Sequence, residues 1–90
     1  MRFEYDKAKS ERNKADPTRG KDFEEAKALW SVEAPVVVPH NVNSGETVWM
    51  RAAVYDGKAW AAMYVERRSV TRILSFRRLN SRERREYGFE

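Results

Sequence analysis

Between Tyr64 and Tyr87 the chain reads YVERRSVTRILSFRRLNSRERREY, a tract that holds eight of its twelve arginines: Arg67, Arg68, Arg72, Arg77, Arg78, Arg82, Arg84 and Arg85. A guanidinium is planar and permanently charged, and it grips phosphate through paired N–H donors. The tract therefore predicts a surface that handles a polyanion such as RNA as well as a scaffold element. The plainer alternative is that arginine merely decorates exposed strand and helix faces. If the chain cut RNA without a metal, the ribose 2′-OH would attack the adjacent phosphate. That reaction needs a proton acceptor, cations for the charge on phosphorus and an acid for the leaving 5′-oxygen.

The candidate cations are Arg67, Arg72, Arg77 and Arg78. Strict alternation along a strand puts Arg72 and Arg78 on one face with Leu74 and Phe76, and Arg77 on the other with Ile73 and Ser75. One face must be core, so at least one arginine sits at the sheet margin. Glu66 is a candidate base, but a carboxylate among arginines has its pKa lowered. Orienting Arg67 or Arg77 is its stronger role. Tyr64 and Tyr87 can stack on a base or donate a hydrogen bond, with plain packing the simpler role for Tyr64. His40 is the one side chain with an ordinary pKa near neutrality, and a polar loop makes it a solvated bystander. Arg84 lies in RERRE, a basic helix suited to RNA or to a protein partner.

The remaining residues bound the possibilities. Ninety residues make one domain, 1–90, near the small end of what folds alone. Three Trp, four Tyr and four Phe suffice for one core, and they argue against disorder. The basic excess is C-terminal: residues 64–90 carry eight Lys/Arg against four Asp/Glu, whereas residues 31–63 carry two against three. There is no cysteine and a single histidine, which excludes disulfides, thiolate nucleophiles and zinc fingers. No apolar run approaches the ~20 residues that span a membrane, and no signal-peptide core is present. A soluble, cytoplasmic protein with no cofactor is expected.

Phe3-Glu4-Tyr5 alternates as a short strand. Asp6 caps a polar helix from Lys7 to about Ala15, with Ala8, Glu11, Arg12 and Ala15 on one face and a Lys7–Glu11 pair. Pro17 and Gly20 bracket a break. Asp22 caps a second helix with Glu25 three positions on, and Phe23, Ala26, Leu29 and Trp30 form its buried face. Val36–Val38 is a strand that Pro39 confines to an edge. Residues 40–45 form a polar loop. Thr47–Tyr55 alternates, with Val48, Met50, Ala52 and Val54 on one face. Asp56-Gly57 is a strong hairpin signal between it and the strand Trp60–Arg67. Arg68-Ser69 turns the chain into Val70–Arg78, and Ser81 caps a final helix to Tyr87 with Glu83 in its first turn. The order predicts an α+β domain, with an antiparallel sheet of about four strands, two N-terminal helices and a short C-terminal helix. All of the helices are expected on one sheet face.

The segments FEYDKAKSERNK, DFEEAKALW, GETVW and YVERRSVTRILSFRRLNSRERREY together resemble the BrnT-type toxins of bacterial type II toxin–antitoxin modules, in order and spacing over nearly the whole chain. In that family the first segment is typically F-E-W/Y-D-x-x-K with an Asn soon after, and the last is Y-T-E-R, a basic R-I-I-S-A-R-R and E-R-x-x-Y. The resemblance implies a RelE-like fold and a ribonuclease that arrests growth by cutting RNA. It implies neutralisation by a BrnA-like antitoxin with a ribbon-helix-helix domain, the pair repressing its own operon through operator DNA. Lys7, in the family-like D-x-x-K region, is a candidate phosphate contact, with a solvated helix lysine as the plainer role. Three departures stand out: the family's K-H-G is replaced within ADPTRGKD, Val65 replaces the usual Thr, and Phe76 the usual Ala. A non-catalytic nucleic-acid- or partner-binding module on the same fold is the alternative.

Overall fold

The computed structural model describes residues 1–90. In chain order the elements are β1 (Arg2–Tyr5), α1 (Lys7–Ala15), α2 (Phe23–Ala26) running into a 3-10 turn (Lys27–Trp30), β2 (Val36–Asn43), β3 (Glu46–Tyr55), β4 (Lys58–Arg67), β5 (Val70–Arg78) and α3 (Ser81–Glu86). The strands form one sheet in the order β1-β5-β4-β3-β2. From β2 to β5 it is the expected antiparallel meander. β1 adds to β5 in parallel, with Phe3 opposite Thr71 and Tyr5 opposite Ile73. The α+β class holds, but the sheet is five-stranded and mixed rather than four-stranded and antiparallel. A parallel partner needs a long crossover, and the whole chain between β1 and β5 supplies it. The pairing is rewarded by edge-on ring contacts of Phe3 with Trp30 (5.1 Å) and Tyr5 with Phe23 (5.9 Å).

β4 is the central strand, and seven consecutive residues, Ala59 to Val65, are buried in it. That run is apolar because both faces of the sheet are covered. On one face Phe23, Ala26 and Leu29 pack on Ala53, Trp60, Ala62, Ile73 and Phe76. On the other, Leu79, Tyr87 and Phe89, which flank α3, close over Met50, Ala61, Met63 and Val65. α3 thus lies opposite the N-terminal helices, not beside them, and it is held by its flanks because none of its own residues is buried.

Short-range chemistry decides the caps and turns. Asp6 caps α1 by accepting from Lys9 N at 3.1 Å, and Asp22 caps α2 from Glu25 N at 2.9 Å. At Asp56-Gly57 both φ angles are positive, 53° and 76°, and at Arg68-Ser69 they are 50° and 69°. These are two-residue turns of the kind that matches strand twist. Three details differ. Asn80, not Ser81, caps α3: it accepts from Glu83 N at 2.8 Å while Glu83 accepts from Asn80 N at 2.9 Å. The polar stretch after Pro39 is mostly strand, since β2 bulges at His40 and continues to Asn43. The docked face of α1 is Ser10 and Asn13 rather than its alanines, and Lys14 reaches Asp22 (3.8 Å) where a Lys7–Glu11 pair was expected.

Asn13 explains how so polar a helix docks. Its amide donates to Lys21 O at 2.7 Å and to Phe76 O at 2.8 Å, and its oxygen accepts from Arg19 Nη1 at 3.0 Å. Ser10 Oγ accepts from Phe23 N at 2.8 Å. β1 pairs with β5 only as far as Ile73, so beyond it α1 satisfies the open strand edge in place of a neighbour.

A bulge in β5 settles which way its arginines face. Tyr64 pairs with Ile73 and Met63 with Ser75, so Leu74 is an extra residue. The alternation reverses there. Arg72 and Arg77 sit opposite Val65 and Ala61 on the α3 side, while Phe76 and Arg78 sit opposite Ala62 and Trp60 on the α2 side. The expected grouping of Arg72 with Phe76 and Arg78 is therefore overturned by one inserted residue.

Candidate functional site

Four of the eight arginines of the basic tract, Arg67, Arg72, Arg77 and Arg84, are committed to carboxylates. Arg67 donates through Nε and Nη2 to both oxygens of Glu46, each at 2.8 Å, which raises its own pKa and lowers that of Glu46. Arg77 donates through Nη1 and Nη2 to both oxygens of Glu83, at 2.8 and 2.9 Å, and Nη1 also donates to the Arg78 carbonyl at 3.1 Å. That guanidinium, helped by the Asn80 N–H, holds the Glu83 carboxyl down at about 2 against the effect of burial. Arg72 lies 3.4 Å from Glu4 across the β1–β5 pair. Arg84 donates to Leu79 O at 2.9 Å and lies 3.4 Å from Glu90. Tyr87 ends α3, its N–H donating to Glu83 O at 2.9 Å and its side chain packed under the sheet. Arg78 and Lys7 are exposed.

These residues do not converge. Arg67 and Arg77 lie on the α3 face at opposite ends of the β4–β5 hairpin, and Glu66 and Arg78 lie on the α2 face at opposite ends of it. Glu66 orients neither Arg67 nor Arg77; its Oε1 accepts from Thr71 Oγ1 at 2.7 Å, which leaves Oε2 without a protein donor.

Two of the expected residues, Tyr64 and Glu66, do come together with side chains from elsewhere. On the α2 face, the 3-10 turn stops short of β2 and leaves a groove of about 600 Å³, lined chiefly by Trp30, Val37, Trp49, Arg51, Tyr64 and Glu66. Its size falls within the range of small-molecule sites, about 300–1,000 Å³. Arg51 is held in place twice: Nε donates to Leu29 O at 3.1 Å, and the guanidinium carbon lies 5.1 Å from the centre of the Trp30 ring. Tyr64 meets Trp30 edge to face at 4.9 Å. Burial pushes the Tyr64 phenol pKa up, with the neighbouring Arg51 opposing. At neutral pH the phenol keeps its proton.

The groove so combines one fixed cation, one hydroxyl donor, one half-free carboxylate and aromatic walls. Sequence reasoning missed Arg51, Trp49 and Trp30. Placing Val48, Met50 and Ala52 on one face of β3 implied Trp49 and Arg51 together on the other, in the one third of the chain where cations are scarce, and that was the available signal. No group of three or more His, Cys, Asp or Glu side chains comes together to hold a metal ion. No helix is long and apolar enough to cross a membrane.

The place of the family's K-H-G lies elsewhere. Arg19, just before Gly20, closes the Asn13 network, and the cleft beside it, lined by Lys9, Arg12, Asn13 and Asp16 among others, shares no residue with the groove. Losing a histidine there removes nothing from the groove.

Comparison with curated proteins gives no match. A family model described as the ribonuclease toxin BrnT of type II toxin–antitoxin systems matches residues 5–83, from the end of β1 into the first turn of α3. This chain therefore belongs to the BrnT family of ribonuclease toxins, whose members act in type II toxin–antitoxin systems and have an antitoxin partner.

Proposed function

We propose that this single-domain toxin is a cytoplasmic, metal-independent endoribonuclease that cuts RNA in the groove between the 3-10 turn and the β2–β3 edge. The observation that carries the reading is the anchored Arg51 guanidinium, set in one groove with the protonated Tyr64 phenol and the free oxygen of Glu66. Glu66 Oε2 takes the proton of the ribose 2′-OH, whose oxygen attacks phosphorus. Arg51 meets the charge that develops on the phosphate oxygens. As the bond from phosphorus to the 5′-oxygen breaks, Tyr64 gives its phenolic proton to the departing oxygen, and exchange with water returns a proton to Tyr64 and removes the one held by Glu66. The products are a 2′,3′-cyclic phosphate and a 5′-hydroxyl. Arg78, Arg82 and Arg85, exposed and outside the ion pairs, draw the polyanion in. Neutralisation comes from a BrnA-like ribbon-helix-helix antitoxin that covers the groove, and the complex represses its own operon.

The test is incubation of the purified protein with RNA in EDTA. Wild type is expected to leave cyclic-phosphate ends. Arg51→Ala is expected to slow cleavage by about 10²–10³, and Glu66→Gln by about 10²–10⁴. Wild-type rates in Arg51→Ala refute the assignment, and cleavage abolished by EDTA refutes metal independence. One observation favours a second reading, a non-catalytic RNA- or partner-binding module. His40 stands on β2 outside the groove, so no imidazole serves it. Tight RNA binding without cleavage by folded wild type selects that reading.

A further inference from the structure

Of the three tryptophans, two have a structural occupation. Trp60 is buried and lies 4.9 Å from Phe76, centre to centre. Trp30 is enclosed by Phe3 at 5.1 Å, Tyr64 at 4.9 Å and Arg51 at 5.1 Å. Trp49 has neither role. It is half-buried, belongs to neither apolar cluster and pairs with no other ring, yet it lines the groove. Its strand neighbours are Tyr64 on one side and Pro39 on the other. A large indole set on a half-open sheet face, beside a groove, is a flat apolar surface that lacks its own covering.

Arg51 follows two residues on along the same face of β3, about 7 Å away at the strand's rise. Three of the groove's side chains therefore offer a ring face, a cation and a hydroxyl on one patch, with Trp49 at the corner, Arg51 beyond it along β3 and Tyr64 beside it on β4. That is what one nucleotide presents in reverse: a base to stack, a phosphate to neutralise and sugar oxygens to hydrogen-bond.

We infer that Trp49 is the stacking platform for a single unpaired nucleobase, which makes single-stranded RNA the substrate class of this groove. The inference rests on the reading of the groove as an RNA site. A base already stacked and paired inside an A-form helix cannot lie on Trp49, whereas a splayed base can. Stacking is tolerant of base identity because every base has a π-face, so the platform selects for strandedness rather than for sequence. Arg51 adds the electrostatic part of the affinity, which weakens with salt.

The experiment measures binding of a fluorescently labelled, 2′-O-methylated oligonucleotide, which cannot be cut, by anisotropy against the full chain. A single strand is expected to bind, and a blunt duplex of the same length to bind at least ten-fold more weakly. Trp49→Ala is expected to lose about ten- to hundred-fold in affinity, while Trp49→Phe, which keeps a ring, retains most of it. Equal affinity for single strand and duplex overturns the inference without any variant being made. So does a folded Trp49→Ala protein that binds like wild type, or a groove that binds no nucleic acid and is occupied only by the antitoxin. Because binding is read with an uncleavable strand, failure of cleavage alone overturns the enzymatic reading and leaves the platform standing. Cleavage that persists unchanged in Trp49→Ala, with duplex cut as fast as single strand, does the opposite.

Discussion

The bidentate Arg77–Glu83 pair sets up the sharpest stability prediction, because its partner is both an ion and a helix cap. Replacing Glu83 by Gln removes the charge from a side chain only 12% exposed and weakens the reciprocal capping with Asn80. The folded carboxyl titrates at about 2 rather than at its ordinary 4.5. At 1.36 kcal/mol for each pKa unit, that gap corresponds to an upper bound of about 3 kcal/mol, and screening by solvent near the pair brings it to roughly 1–3 kcal/mol. Because the folded pKa is depressed, the contribution is complete above pH 4.5 and is lost as pH falls through about 2. Urea unfolding of wild type and Glu83→Gln across that range measures it. The variant is expected to be less stable at pH 7 by roughly 1–3 kcal/mol, with the difference shrinking steadily between pH 4.5 and 2. A difference that stays constant through that window, or no difference at pH 7, refutes the reasoning. The prediction also bears on function, since it makes Arg77 a brace for α3: Arg77→Ala should loosen the Leu79–Tyr87–Phe89 cover before it touches chemistry.

Other consequences follow from the same geometry. Asn13→Ala strands the Lys21 and Phe76 carbonyls and should cost about 1–3 kcal/mol in thermal or urea unfolding; a neutral result means that water replaces the amide. Arg67→Ala, at an exposed pair on the face away from the groove, should leave both the unfolding midpoint and RNA cleavage near wild type, and a collapse of activity there would move the site to the α3 face. Gly57→Ala meets no atom within 4 Å but sits at φ +76°, so the strain of a left-handed residue should cost about 1–2 kcal/mol, read as a lowered melting temperature. Deprotonation of Tyr5, whose pKa its hydrogen bond to Glu24 pushes up to about 12, should fall above the ordinary tyrosine range in a spectroscopic titration; a midpoint near 10 would show that this contact is not kept in solution.

By itself the sequence determined most features that depend on residues a few positions apart, although it set the α3 cap one residue late and expected a Lys7–Glu11 pair that does not form. Asp6 and Asp22 declare their helices because a carboxylate three residues before a free N–H has no better partner. Asp56-Gly57 declares its hairpin because few other pairs accept two positive φ angles. The basic tract and the spaced segments of the family were legible for the same reason, as each is a local string. What the string could not carry is phase and company. One extra residue at Leu74 exchanged the faces of the arginines beyond it, and alternation cannot announce where it will slip. The parallel docking of β1 and the settling of α3 on the far face were decided by which apolar surfaces remained to be covered. The groove shows the same division. Tyr64 and Glu66 were visible as chemistry, but Arg51 and Trp49 gain meaning only when β3 lies beside β4 and the 3-10 turn holds the guanidinium in place. Composition had pointed to the arginines, yet folding spent Arg67, Arg72 and Arg77 on carboxylates and left Arg51, the single cation of β3, facing the open groove.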